Sequence, residues 1–188
     1  MAEAFSNQVA RAAGIVTSYS GSTVAAGSTA ITVTALTGIG VSFLVDNQHF
    51  IAGTKVVSTS AVSGGVGTVF TDRNSTNTTS ASSQTVRFLG PTTAYTSPAS
   101  TKSIIIGGTF ANNTSNSVNL SVEIYDSSVG VTSTGSVAIA SKIPVPSGSS
   151  FVISDTGKTL LESADELKVY CDSEGAIDVS LSILTGVN

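Results

Sequence analysis

Hydrophobic and polar residues alternate with a period of two along much of the chain. Val118, Leu120, Val122 and Ile124 interleave with Asn119, Ser121, Glu123 and Tyr125, and Ile177, Val179, Leu181 and Ile183 interleave with Asp178, Ser180 and Ser182. Successive side chains of a strand point to opposite faces, so each run predicts a half-buried antiparallel strand with one dry and one wet face. Within Ala30 to Leu36, Ile31, Val33 and Ala35 alternate with threonines in the same way. Shorter candidates are Val41 to Val45, Lys55 to Thr59, Gly67 to Phe70, Thr85 to Leu89, Ser103 to Ile106, Ser136 to Ala140, Ser150 to Ile153 and Leu167 to Cys171. Gly, Asp, Asn and Ser clusters between them supply the turns. The segment Asp72 to Gln84, rich in Ser and Thr and without a large apolar side chain, reads as a loop or an irregular hairpin, and Ser163 to Glu166 as the turn into the next strand.

The N-terminal segment suggests a different period. Phe5, Val9 and Ala12 or Ala13 fall at i, i+4 and i+7, with Glu3 in the first turn, Arg11 in the last and Gly14 as a stop. This pattern predicts a short amphipathic helix over Ala2 to Ala13. A helix of about three turns is marginal alone in water. Its apolar face must therefore pack on its own domain or on a neighbouring subunit, which makes Phe5, Val9, Ala12 and Ala13 the candidate protein-interaction residues.

The expected fold is mainly β: two small antiparallel β-sandwich or barrel modules with a short N-terminal helix. Residues 1–21 would form the helix or arm and a lead-in strand, 22–90 a β-rich projecting module, and 91–188 an antiparallel sandwich for docking and oligomerisation. Gly90 and Pro91 mark the boundary between the last two. Two domains of this size would each bury roughly 63% of their unfolded surface, against about 70% for one globule of the full length. Self-association would make up part of that difference.

Composition agrees with strands. Of 188 residues, 32 are Ser and 25 are Thr, while only 11% are charged, against about 25% in an average soluble protein. Hydroxyl side chains compete with helical hydrogen bonding, and Thr, Val and Ile suit the pleated strand. The mean hydropathy of +0.33 and net charge of −4 argue against disorder. A pI near 4.7 and eight scattered Lys and Arg residues exclude the basic footprint that nucleic acid requires. No apolar run reaches the ~18 residues of a membrane span. The N-terminal segment lacks the pattern of a secretory signal, so export by the usual route is not expected.

Candidate chemistry is sparse. His49 is the single histidine and Cys171 the single cysteine. Any Ser-His-Asp arrangement must use His49, whose neighbours Gln48, Phe50 and Ile51 resemble the start of a strand. Cys171, after Val169 and Tyr170, reads as a small buried hydrophobe. No transition-metal ligand set is expected. Calcium would have to use Asp72 and Asn74, or Asp155, Asp165 and Glu166, without the usual loop signature. Asp165 with Glu166 and Asp172 with Glu174 are adjacent acids in turns, where both members are solvated rather than set across a cleft as glycoside hydrolysis demands. Five Asn-x-Ser/Thr sequons, at Asn74, Asn77, Asn112, Asn113 and Asn119, follow from the abundance of Ser and Thr. The absence of Trp leaves sugar or base stacking unsupported. No catalytic, cofactor-binding or metal residue is assigned, and no cofactor is expected.

Several segments carry a likeness. They are MAEAFSNQVARAAGIV at the start, SIIIGG from Ser103, ANNTSNSVNLSVEI from Ala111, KIPVPSGSSFVI from Lys142 and LLESADELKVYCDSEGAIDVSLSIL ending at Leu184. Together they resemble small virion structural proteins of tailed bacteriophages, notably those of marine cyanobacteria. The middle segment ALTGIGVSFLVDNQHFIAGTKVVSTSAV, from Ala35, is similar to β-rich modules of phage fibre and decoration proteins. The resemblance implies a non-enzymatic part of a virion, assembled in the bacterial host cytoplasm, where an unpaired cysteine is at home. Its partners would be copies of itself in a homo-oligomer and other virion proteins. Its station would be the neck or tail, as an adaptor or fibre-like component. A capsid decoration or knob protein on the head is the alternative, and a bacterial surface adhesin module a further one. Contact of residues 22–90 with a host receptor or glycan has no support in the residues.

Overall fold

The computed structural model describes residues 3–61, 66–129, 135–153 and 158–187. The strands, in chain order, are β1 (Ala4–Ala13), β2 (Ile15–Val24), β3 (Ala30–Val33), β4 (Leu44–Asp46), β5 (Val56–Ala61), β6 (Gly67–Thr71), β7 (Ala81–Gly90) and β8 (Thr92–Thr96). They continue with β9 (Lys102–Asn112), β10 (Val118–Tyr125), β11 (Ser136–Val145), β12 (Ser150–Ile153), β13 (Thr159–Leu161), β14 (Glu166–Cys171) and β15 (Ile177–Val187). The protein is mainly β, with almost no helix among the described residues. The chain divides into two compact units, one drawn from Met1–Ile15, Thr92–Gly130 and Thr134–Asn188, the other from Val16–Pro91.

The first unit has two sheets. One runs β1-β15-β9-β12, with β13 also paired to β9, and the other runs β11-β10-β14-β8. Ile177, Val179, Leu181 and Ile183 of β15 meet Leu120, Val122, Leu167, Val169 and Cys171 of the second sheet in a single core, all at most 3% exposed. The unit is thus a β-sandwich whose two inner faces were visible as alternating positions in the sequence. Burying each such aliphatic side chain contributes about 1.5–3 kcal/mol. At one end the core turns polar: the buried Ser103 hydroxyl lies 2.8 Å from the Tyr95 hydroxyl and 2.9 Å from that of Ser97. Ser97 also donates to the Thr101 carbonyl.

The second unit is one six-stranded sheet in the order β4-β7-β2-β3-β6-β5. Its ends meet, because Leu44 of β4 bridges Lys55, the residue before β5. The Ser42 and Val56 amides donate across the same join to the Val56 and Phe43 carbonyls. The sheet therefore curls into a barrel-like form around Val24, Ile31, Val33, Val45, Phe50, Val69, Val86 and Phe88. Of the segment Asp72 to Gln84, read as a loop or irregular hairpin, residues 72–80 form no strand while Ala81 to Gln84 belong to β7; side chains bind the irregular part to the framework. The Ser75 hydroxyl donates to the Ala25 carbonyl at 2.6 Å, and the Asn77 amide to the Val24 carbonyl at 3.2 Å.

The expected N-terminal helix is corrected: Phe5, Val9, Ala12 and Ala13 all lie in strand β1, which pairs antiparallel with β15 from Ala4↔Thr185 to Ala13↔Ile177. The spacing of Phe5 and Val9 is common to both periods, since four positions return a side chain to the same face of a strand as well as of a helix. The alanines at i+7, with Glu3, Arg11 and Gly14 as end signals, argued for helix, and pairing along nearly the whole length of β15 outweighs these local preferences. The register breaks between Ala10 and Ala13. There Ala12 takes a φ of 55°, and the Ala12 amide donates to Asp178 Oδ1 at 2.9 Å. Other expectations shift less. The strand expected over Val41 to Val45 is confined to Leu44–Asp46, and Thr92–Thr96, directly after the Gly90 and Pro91 boundary and not expected as a strand, forms β8.

Gly14 ends β1 with a φ of +129°, and a Cβ there would collide with the Ser173 carbonyl oxygen. Gly14→Ala is therefore expected to destabilise the sandwich. Leu120→Ala should do so by roughly 2–5 kcal/mol, the cost of an unfilled core cavity. Differential scanning calorimetry checks both, and an unchanged melting transition in both variants would contradict this packing.

Candidate interaction surface

The register of the first sheet determines which side chains share its outer face. Phe5 pairs with Leu184, Leu184 with Ile104, and Ile104 with Leu160. One apolar row thus crosses four strands on the side away from the core. A second row runs Val9, Ser180, Thr109 and Val152. Asn7, Ser182 and Gly107 lie between the two. Phe5 is 77% exposed, Val9 68%, Val152 53% and Leu160 47%. Two shallow hollows flank β1, one of about 300 Å³ beside Phe5, Asn7 and Ser182, the other of about 340 Å³ between Val9, Thr109 and Asp178. The charges sit at the rim: Arg11 Nε stands 4.0 Å from Asp178 Oδ2, and Lys102 Nζ 3.1 Å from Glu162 Oε1.

Of the four residues singled out in the sequence, the structure brings Phe5 and Val9 together on this face. It separates the other two, since Ala12 lies exposed in the irregular stretch of β1 and Ala13 is fully buried in the core. Sequence reasoning missed Leu184, Ile104, Leu160 and Val152. Leu184 carried a readable signal, because it stands on the face of β15 otherwise occupied by Asp178, Ser180 and Ser182.

The corresponding face of the second sheet differs in chemistry. Ser121 pairs with Tyr170, Glu123 with Lys168 and Tyr125 with Glu166. Lys168 Nζ lies 3.2 Å from Glu166 Oε2 and 3.8 Å from the centre of the Tyr125 ring. Tyr170 is fully buried and Glu123 is 3% exposed. Burial, reinforced by the Glu123 carboxylate that faces it and accepts its hydrogen bond, pushes the Tyr170 phenol far above its ordinary value of 10.0.

The remaining candidates serve backbone groups. Asp165 is 5% exposed, and its carboxylate accepts the Ser127 amide at 3.0 Å and the Glu162 amide at 2.9 Å. Glu166 is turned into the Lys168 ion pair instead, so this adjacent pair does not act as a unit. Asp72 accepts the Lys55 amide at 2.7 Å, and Asp172 the Asn119 amide at 2.8 Å. Asp155 lies outside the described residues. His49 sits in the turn after β4, where its amide donates to Asn47 Oδ1. Among the described residues, its ring is in hydrogen-bond range only of the Gln48 amide, at 3.4 Å. Asn112 is 2% exposed, and its amide donates to the Asn116 and Val145 carbonyls while its oxygen accepts from Thr114. Cys171 is buried in the sandwich core.

Among the described residues, no three His, Cys, Asp or Glu side chains gather closely enough to hold a metal ion. No helix there is long and apolar enough to cross a membrane. Comparison with protein families, with curated proteins and with solved structures finds no match.

The buried phenol gives a pH prediction. Below pH ~10 Tyr170 is protonated in both folded and unfolded chains; above it the unfolded chain loses the proton while the folded one retains it, so stability falls as pH rises. Ultraviolet titration is expected to leave the Tyr170 phenol unionised until the protein unfolds. In Tyr170→Phe that delayed step should be gone. A delayed step that persists in the variant would place the protected phenol elsewhere.

Proposed function

We propose that the chain is a non-enzymatic structural protein of a tailed-bacteriophage particle. It is built in the host cytoplasm, forms a homo-oligomer, and docks on other virion proteins as a neck or tail adaptor or a fibre-like component. The observation that carries the reading is the outer face of the first sheet, where Phe5 and Val9 stand 77% and 68% exposed and the charged pairs lie at the rim. Large apolar side chains displayed side by side favour burial against another protein surface. The acids singled out in the sequence bind backbone amides, as Asp165 and Asp72 do, which is a use in architecture. The likeness of the N-terminal and C-terminal segments to phage virion proteins supports the same reading. The docking element is then a strand rather than a helix.

Purified particles of the source phage test this. Quantitative mass spectrometry should find the chain at a fixed copy number, and cryo-electron microscopy should place its density at the neck or tail. Phe5→Ser combined with Val9→Ser changes only exposed side chains, so it should fold normally yet be depleted from particles by about tenfold or more. A chain confined to the soluble fraction of the lysate, or a variant incorporated at full occupancy, would overturn the proposal. Density on the capsid surface instead would move the station to the head.

A further inference from the structure

Sheet edges are where a β protein meets its neighbours, and the edges of this chain are unequally protected. The second unit closes through the Leu44 and Lys55 bridge. In the sandwich, the β12 and β13 edge is cut into strands of four and three residues. The β8 edge has five residues and lies between Pro91 and Pro98. The β11 edge contains Pro144 and Lys142, the latter at a φ of 48°, and two register shifts against β10. By contrast β1 is ten residues long, and its regular stretch Ala4 to Ala10 holds no charge and no proline. Ala4 to Val9 are exposed on both faces, including Ser6 and Gln8 on the side of the core.

The sequence of this edge is complementary to itself. With a second copy laid antiparallel and centred on Asn7, Glu3 faces Arg11, Ala4 faces Ala10, Phe5 faces Val9, and Ser6 faces Gln8. Each side chain meets one of matching character or opposite charge. Paired residues differ by an even number of positions, so Phe5 and Val9 of both copies stay on the outer face and Ser6 and Gln8 on the inner one. The unpaired backbone groups of β1 would be satisfied at the same time. Opposite charges directly across a strand pair favour the register, and like charges oppose it.

We propose that β1 pairs antiparallel with β1 of a second copy about a twofold axis at Asn7, joining the two outer sheets into one. The apolar row Leu160, Ile104, Leu184 and Phe5 then meets Val9 of the second copy, which heads that copy's row Val9, Ser180, Thr109 and Val152. This names the self-partner in the function proposed above and rests on that reading only for its use in a particle.

The full-length chain tests the pairing. Sedimentation equilibrium should give a dimer, and Phe5→Ser with Val9→Ser should raise its dissociation constant by about a hundredfold or more. Glu3→Arg alone sets Arg against Arg11 and should weaken the dimer, and adding Arg11→Glu should restore it. Asn7→Cys places two thiols directly opposite, with Cα atoms about 4.5–5.5 Å apart, within reach of a disulfide. Ala4→Cys places them about 20 Å apart. Oxidation should therefore link Asn7→Cys and not Ala4→Cys, with buried Cys171 taking no part. A monomeric chain, a dimer indifferent to the Phe5 and Val9 changes, or equal linking at both positions would overturn the pairing. Particles in which β1 of the chain is covered by something other than β1 of a second copy would also overturn it while leaving the virion reading intact. A chain that dimerises as described but never enters a particle would uphold the pairing and sink the virion reading.

Discussion

Every open sheet ends in rows of amide and carbonyl groups, and the disposal of those rows is the constraint around which this protein is arranged. The second unit meets it by closure, bringing Leu44 against Lys55 so that the first and last strands join. The sandwich meets it piecemeal. One edge is broken into short strands, one is bounded by prolines, and one is distorted by Lys142 and Pro144. With 11% charged residues, the chain has few lysines and glutamates to spend on edges, so geometry carries the protection. The exception, β1, is also where the most exposed aromatic side chain, Phe5, stands.

The abundance of hydroxyl side chains takes on a definite meaning in this setting. Ser75 and Thr71 fasten an irregular segment to neighbouring carbonyls, and Ser97 and Ser103 with Tyr95 fill a polar end of the core. Asp165 and Asp178 do similar work with amides, the former in a turn and the latter at the irregular end of β1. Such bonds contribute only about 0.5–1.5 kcal/mol each, but leaving a buried partner unmet costs more. They explain how strands joined by long irregular connections hold one arrangement.

Strand faces were legible in the sequence where a sheet has one buried side. The alternation in β10 and β15 identified their core residues, because burial imposes the period directly, but the face of β10 expected to be wet is buried at Ser121 and Glu123. The N-terminal segment was misread because four-residue spacing fits a helix and a strand alike, and the decision belongs to β15, which lies far along the chain. The apolar row on the outer face was legible only in part. Leu184 stands out locally, but its alignment with Phe5, Ile104 and Leu160 depends on three pairings between strands distant in sequence. No local pattern encodes such registers. The burial of Tyr170, paired with Ser121 and diagonal to Glu123, was hidden for the same reason: its position on the polar face of β14 predicts exposure, and the tertiary structure overrides it.

The number of accessible edges also sets what self-association can build. A chain with two open and complementary edges adds copies without limit, which is the route to fibres; a chain with one such edge, paired with its own copy about a twofold axis, consumes it and stops. In this protein the irregular stretch at Arg11 and Ala12 further confines regular pairing to the seven residues from Ala4 to Ala10. A joint through β1 is therefore short and self-limiting, and its backbone bonds are the same in any register. Selection of one register must come from side chains. The opposed ends, Glu3 and Arg11, penalise a shifted alignment, and Phe5 against Val9 rewards the centred one. The same exposed strand that would be an aggregation hazard in an arbitrary sequence thus carries its own specification of partner and of stopping point.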